Sequence, residues 1–164
     1  MNRVVLLIGS NVGDRLVHFK TAQKMISSEL GPITNHSSVY ETAPWGNTNQ
    51  DMFLNQVLVV DSPLNADQIM KEIIRMEEKM GRKRAEKWGP RAIDIDILFF
   101  NDEIISKQEL VIPHPNLHER KFTLVPLVEL MPDFTHPVLK KNISTLLAEL
   151  NDPLEVKKSP LIST

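Results

Sequence analysis

The succession of apolar spacings between residues 4 and 100 restricts the fold of this chain more than any other property of its sequence. Val4 to Ile8 is an unbroken β-branched and leucine-rich run, which suits a strand covered on both faces, and Gly9-Ser10-Asn11 ends it. From Asp14 the period becomes 3.6, with Leu16, Phe19, Gln23, Ile26 and Leu30 along one helical stripe that Gly31-Pro32 stops. Ile33 to Thr42 reads as a second strand, residues 43 to 51 as a loop around Trp45, and Phe53 to Val60 as a third strand. Asn65 suits a helix cap, Ile69, Met70, Ile73, Met76 and Met80 form the next apolar stripe, and Gly81 supplies the stop. After a charged loop, Ile93 to Phe100 reads as a fourth strand that turns at Asn101-Asp102 into short extended pieces ending near Ile112. Short helices are predicted at Leu124 to Leu130 and Ile143 to Leu150, and the tail from about residue 151 is expected to fray.

The order strand, helix, strand, strand, helix, strand predicts an α+β fold. It matches a ferredoxin-like plait, with a mostly antiparallel sheet and helices packed on one face, which leaves the other face for chemistry. At 164 residues, the chain reads as one domain over 1–164. The absence of cysteine excludes disulfide scaffolds, zinc ribbons and thiol catalysis. A formal charge of −2 gives no global support for nucleic-acid binding, so an anion site must be built locally. No apolar run approaches the ~18 residues of a membrane span, and a cytoplasmic protein is expected.

Asp94-Ile95-Asp96 carries the strongest chemical signal. Alternation along a strand puts Ile93, Ile95, Ile97 and Phe99 on one face and both aspartates on the other. Two carboxylates that converge to ~5 Å repel by about 3 kcal/mol at an effective dielectric of about 20. A hard divalent cation relieves that repulsion, and Mg²⁺ characteristically takes one or two carboxylates plus substrate phosphates. An ordinary solvated pair of aspartates remains the alternative. The preceding loop places Arg82, Lys83, Arg84, Lys87 and Arg91 within ten residues. Guanidinium forks match phosphate oxygens, so a cation site beside an anion clamp suits phosphoryl-type transfer, although a solvated basic loop has the same composition. Trp88 in that loop can stack on a flat ligand or anchor into the core. His114, between two prolines, can donate to a phosphate or simply cap a turn. Phe53 and Asn55, two apart on a strand, offer an aromatic beside an amide, as a flat polar-edged heterocycle requires and as a core Phe beside a structural Asn would also give.

Together these residues resemble the hydroxymethyl-dihydropterin pyrophosphokinases of folate biosynthesis (HPPK). The likeness spans about residues 1 to 137: Gly9-Ser10-Asn11, Tyr40-Glu41-Thr42 with Pro44, Phe53-Leu54-Asn55, Glu77 with Gly81-Arg82, Trp88-Gly89-Pro90-Arg91 leading into Asp94-Ile95-Asp96, Pro113-His114-Pro115, and Arg120 with Phe122. The resemblance implies transfer of pyrophosphate from ATP to 6-hydroxymethyl-7,8-dihydropterin, leaving AMP. It implies two Mg²⁺ ions on Asp94 and Asp96, with Arg82 and Arg91 as catalytic lid cations. It assigns Glu77, Arg82, Arg84, Trp88, Arg91, Ile97, His114 and Arg120 to ATP. Thr42, Ala43, Pro44, Trp45, Phe53, Asn55, Asp94 and Phe122 fall to the pterin. Members of the family often carry tyrosine where Phe53 stands, and some carry a basic residue where Glu109 stands. Nucleic acid and membrane are not expected partners, and a monomer is expected. A sheet-face RNA-binding module is disfavoured by the two aspartates, which would repel a phosphate backbone. A nucleotide-sugar transferase also uses an acidic pair, but this chain is short for such a domain.

Overall fold

The unbroken apolar run Val4 to Ile8 is buried along its whole length because its strand, β1 (Asn2–Ser10), lies inside a sheet and is covered on both sides. In this computed structural model, residues 1–11, 13–43, 52–81 and 92–159 are described. The further elements are α1 (Arg15–Glu29), β2 (Ile33–His36), β3 (Tyr40–Thr42), β4 (Phe53–Ser62), α2 (Ala66–Lys79), β5 (Asp94–Phe100), β6 (Ile105–Ser106) and β7 (Val111–Ile112). A 3-10 turn at Leu117–Glu119 then leads to α3 (Lys121–Leu130), α4 (Ile143–Glu149) and β8 (Val156–Lys158). The main sheet runs β5-β1-β4-β3-β8, with β2 also paired to β4, and its described pairings are antiparallel. β6 and β7 form a separate two-stranded ribbon.

Local chemistry explains where the helices begin. The Asp14 side chain accepts the Val17 N–H and caps α1. Asn65 and Gln68 form a reciprocal capping box at the start of α2, each side chain accepting the other residue's backbone N–H. Gly31 follows the end of α1 at φ +147, and a Cβ there would lie 2.0 Å from the Asp61 carbonyl oxygen, so only glycine fits.

The α+β architecture agrees with expectation, but the helices lie on both faces of the sheet rather than one. Leu6, Ile8, Leu58 and Ile95 pack with Phe19 and Ile26 of α1 and with Ile69, Ile73 and Met76 of α2. On the opposite face Val5, Leu7, Val57, Val59 and Phe99 pack with Leu124 and Leu127 of α3 and Ile143 and Leu146 of α4. The reason is in the strands: alternate residues of β1 and β4 are apolar on both sides, and bare aliphatic surface is costly in water.

Three further expectations are corrected. Phe99 does not share a face with Ile93, Ile95 and Ile97, because the β1–β5 register slips between Val5 and Leu6 and carries Phe99 to the second core. The strand expected over Ile33 to Thr42 is two strands, broken where the Ser37 hydroxyl accepts the Val57 N–H. In the tail expected to fray, Val156–Lys158 pairs with β3 as β8. No helix among the described residues is long and apolar enough to cross a membrane.

Candidate active site

Asp94 and Asp96 are both half-buried, and they alternate with Ile93, Ile95 and Ile97, which point into the first core. The aspartates therefore share the opposite face, as the spacing predicts. Gly9 of β1 stands directly opposite Asp94 on one side and Asn55 on the other, and Asn55 in turn stands opposite Tyr40 of β3. Directly opposed residues of an antiparallel pair lie on one face. Tyr40, Asn55, Gly9 and Asp94 thus form a row across four strands. Phe53 and Thr42, also opposed, lie beside that row.

The second core limits the row. Asp96 is opposite Leu7, which is buried against α3 and α4 together with Val57. The aspartate pair accordingly sits where the covered part of this face gives way to its polar end. Tyr40 is tied to the cover: its hydroxyl donates to Glu129 of α3 at 3.2 Å. Glu129 also accepts the Ser38 hydroxyl at 2.6 Å and the Ser38 backbone N–H. Burial alone would raise the Glu129 carboxyl, but these donors and Lys158 prevail and hold it below its ordinary value. The Tyr40 phenol is pushed up to about 12, first by burial and then by the charge and hydrogen bond of Glu129. Thr42 is buried, and its hydroxyl has no hydrogen-bond partner among the described residues.

His114 approaches the pair from the other side. It follows a cis Ile112–Pro113 peptide, and its backbone N–H donates to the Leu98 carbonyl at 3.1 Å, which fixes it against β5. Its Nδ1 accepts the Asn116 N–H at 3.1 Å, so the ring proton of the neutral form sits on Nε2. Burial lowers the His114 pKa; Asp96 opposes that shift and Arg120 adds to it. The ring is therefore a neutral donor near neutral pH, between a carboxylate and a guanidinium. Arg120, at the start of α3, lies with its guanidinium carbon 5.6 Å from the centre of the half-buried Phe122 ring.

Glu77 is buried on α2, and its Oε2 accepts the Ile95 N–H at 3.1 Å. The acid on the flank of the apolar stripe thus fixes the backbone of the residue between the two aspartates. Sequence reasoning assigned Glu77 only through resemblance; the signal that could have found this contact is a carboxylate at a position where the helical period calls for an apolar residue. Ile97 is buried in β5, opposite Leu6, and Ala43 is exposed at the end of β3. The expectations for Pro44, Trp45, Arg82, Arg84, Trp88 and Arg91 lie outside the described residues.

As a cation site, the pair offers hard oxygen donors from two side chains of one strand. Among the described residues no group of three or more His, Cys, Asp or Glu is placed to hold a metal ion. Two carboxylates completed by phosphate oxygens and water suit Mg²⁺, which keeps several waters and is rarely caged by protein alone.

The sequence model of the family "7,8-dihydro-6-hydroxymethylpterin-pyrophosphokinase (HPPK)" matches residues 5–132. The chain is 41% identical over 149 residues to the 2-amino-4-hydroxy-6-hydroxymethyldihydropteridine pyrophosphokinase of Aquifex aeolicus, covering 91% of this chain and 92% of that protein. It is 36% identical over 159 residues to the protein of the same name from Methylorubrum extorquens, covering 96% and 99% respectively. A crystal structure of Plasmodium falciparum HPPK-DHPS superposes with a TM-score of 0.76 at 21% identity, over 90% of this chain and 43% of that one. The chain spans less than half of that solved protein, and the likeness there is one of fold. Matched by the family model over most of its length and by full-length relatives at this identity, the chain belongs to the HPPK family.

Proposed function

We propose that this chain transfers the β,γ-pyrophosphoryl group of ATP to the hydroxymethyl oxygen of 6-hydroxymethyl-7,8-dihydropterin. The family membership supports the reaction, and one observation carries the assignment of residues. Asp94 and Asp96 share a face with Asn55, Phe53 and Thr42 to one side and His114 with Arg120 to the other. A heterocycle with a polar edge suits the first group and a polyphosphate the second.

In the reaction the hydroxymethyl oxygen forms a bond to the β-phosphorus. The bond from that phosphorus to the oxygen bridging it to the α-phosphate breaks, AMP leaves with that oxygen, and the hydroxyl proton is released. Mg²⁺ held by Asp94 and Asp96 supplies charge neutralisation on the triphosphate and favours ionisation of the hydroxyl, with two ions on the family pattern. The chain's own groups position and neutralise. Asn55 bonds the polar edge of the pterin between Phe53 and Phe122, and Thr42 and Ala43 close that pocket with Pro44 and Trp45. Neutral His114 donates from Nε2 to a phosphate oxygen, and Arg120 adds its charge. Glu77 and the backbone at Ile97 serve the nucleotide side. Arg82, Arg84, Trp88 and Arg91 are assigned to the triphosphate on the resemblance, with Arg82 and Arg91 neutralising charge in the transition state.

The strand order with its two helical crossovers favours a ferredoxin-like plait as the frame of this single catalytic domain. Action as a monomer is part of the same proposal. Incubation with Mg·ATP and the reduced pterin is expected to yield AMP and the pterin diphosphate in equal amounts. ADP or free phosphate as the main nucleotide-derived product would overturn the proposal.

A further inference from the structure

We infer that Gly9 is a positioning residue: by lacking a side chain it lets the Asn55 amide lie over β1, and through that amide it sets affinity for the heterocycle. The inference rests on the assignment of Asn55 to the pterin. A Cβ built on Gly9 would lie 2.7 Å from Asn55 Oδ1, 3.5 Å from the Leu54 carbonyl oxygen and 3.8 Å from Asn55 Cγ. Only the first distance is inside the ~3.5 Å of comfortable non-bonded contact. The obstacle to a larger residue is therefore the amide, not the sheet.

Backbone conformation is no obstacle either. The described glycines with positive φ are Gly13, Gly31 and Gly81, so Gly9 occupies backbone space open to alanine. Gly9 also stands between Asn55 and Asp94 in register, so its bare backbone separates the amide from the carboxylate. A methyl group at that point turns the amide about its own rotatable bonds, because the end of a side chain yields more readily than a paired strand. Asn55 is buried, so the turned amide has few alternative places.

A double-mutant cycle tests this. Gly9→Ala, Asn55→Ala and the double variant are compared by affinity for the pterin in the presence of Mg²⁺ and a non-hydrolysable ATP analogue, by KM and kcat, and by the side-chain amide resonances of Asn55 in ligand-free protein. Gly9→Ala is expected to weaken pterin affinity roughly tenfold, the scale of one lost polar contact, with KM rising more than kcat falls. In the Asn55→Ala background the same substitution is expected to change affinity less than about twofold, since the obstructing oxygen is gone. Equal losses in both backgrounds, or unmoved Asn55 amide resonances in Gly9→Ala, overturn the inference. If Gly9→Ala does not fold, a folded double variant supports the clash with Asn55, and a double variant that also fails to fold overturns it. The assignment of Asn55 to the pterin fails separately: Asn55→Ala would bind pterin as the natural chain does, while the amide resonances still report whether Gly9 positions that side chain.

Discussion

Asp96→Asn keeps the size of the side chain and removes one charge at the point where β5, His114 and the second core meet. The structure places that charge on the same face as Asp94, half-buried, and strong enough at His114 to oppose the effect of burial there. At ~5 Å and an effective dielectric of about 20, one unit charge acting on another is worth about 3 kcal/mol. At 1.36 kcal/mol per decade, that is roughly two decades in rate. Turnover, followed by AMP formation at saturating pterin and ATP, is therefore expected to fall about a hundredfold, with a higher requirement for Mg²⁺. A second observable tests the geometry without reference to catalysis. With the Asp96 charge gone, the influences left on His114 are burial and Arg120, so its titration by NMR moves further below the ordinary histidine value. Turnover within about threefold of the natural chain would remove Asp96 from the mechanism. A collapse of turnover with an unmoved His114 titration would show that the carboxylate does not face that ring.

Two other predictions follow from buried titratable groups. His136 is held below the ordinary histidine value of about 6.5, first by burial and then by the nearby His118, and His114 shifts in the same direction. The unfolded chain therefore takes up protons before the native one as pH falls through about 6.5, so stability is full above that value and declines below it. Urea midpoints between pH 5 and 7.5 check this; His136→Asn, which keeps an acceptor for the Val138 and Leu139 N–H groups, should flatten the slope, and a pH-independent natural chain would contradict the argument. Tyr40 is the sole tyrosine, so tyrosinate absorbance reports it alone. Glu129→Gln retains a hydrogen-bond partner but not the charge, so the midpoint should drop from about 12 yet stay above 10, because burial is the larger cause. An unchanged midpoint would refute the contact.

The features legible in the sequence are those set by near neighbours. The Asn65 cap with Gln68 three residues on, and the stop at Gly31, depend on residues within one turn or on backbone angle. The shared face of Asp94 and Asp96 follows from strand alternation alone. What could not be read depends on a second segment. Phe99 changes face only because β5 gains a residue relative to β1, and Val156–Lys158 has no strand pattern until β3 offers it an edge. The same holds in the site. Pro113-His114-Pro115 marks a rigid segment, but nothing local places its histidine beside Asp96, eighteen residues earlier. The resemblance supplied that grouping, and it could not supply the clearance between Gly9 and the Asn55 oxygen, which lies only 2.7 Å from where a Cβ would stand.

The pairing of β8 with β3 reaches beyond the fold. A three-residue strand is a weak platform, yet β3 carries Thr42 and Tyr40, and its outer edge is held by a segment from the far end of the chain. The Ser159 backbone N–H donates to the Val39 carbonyl at 2.8 Å and the Ser159 hydroxyl to Glu41 at 3.2 Å, extending the clasp past the strand itself. Trimming the polypeptide at residue 155 would thus leave both hydrophobic cores intact while freeing the rim of the pocket to breathe, so the damage would register as slack recognition with the melting temperature little changed.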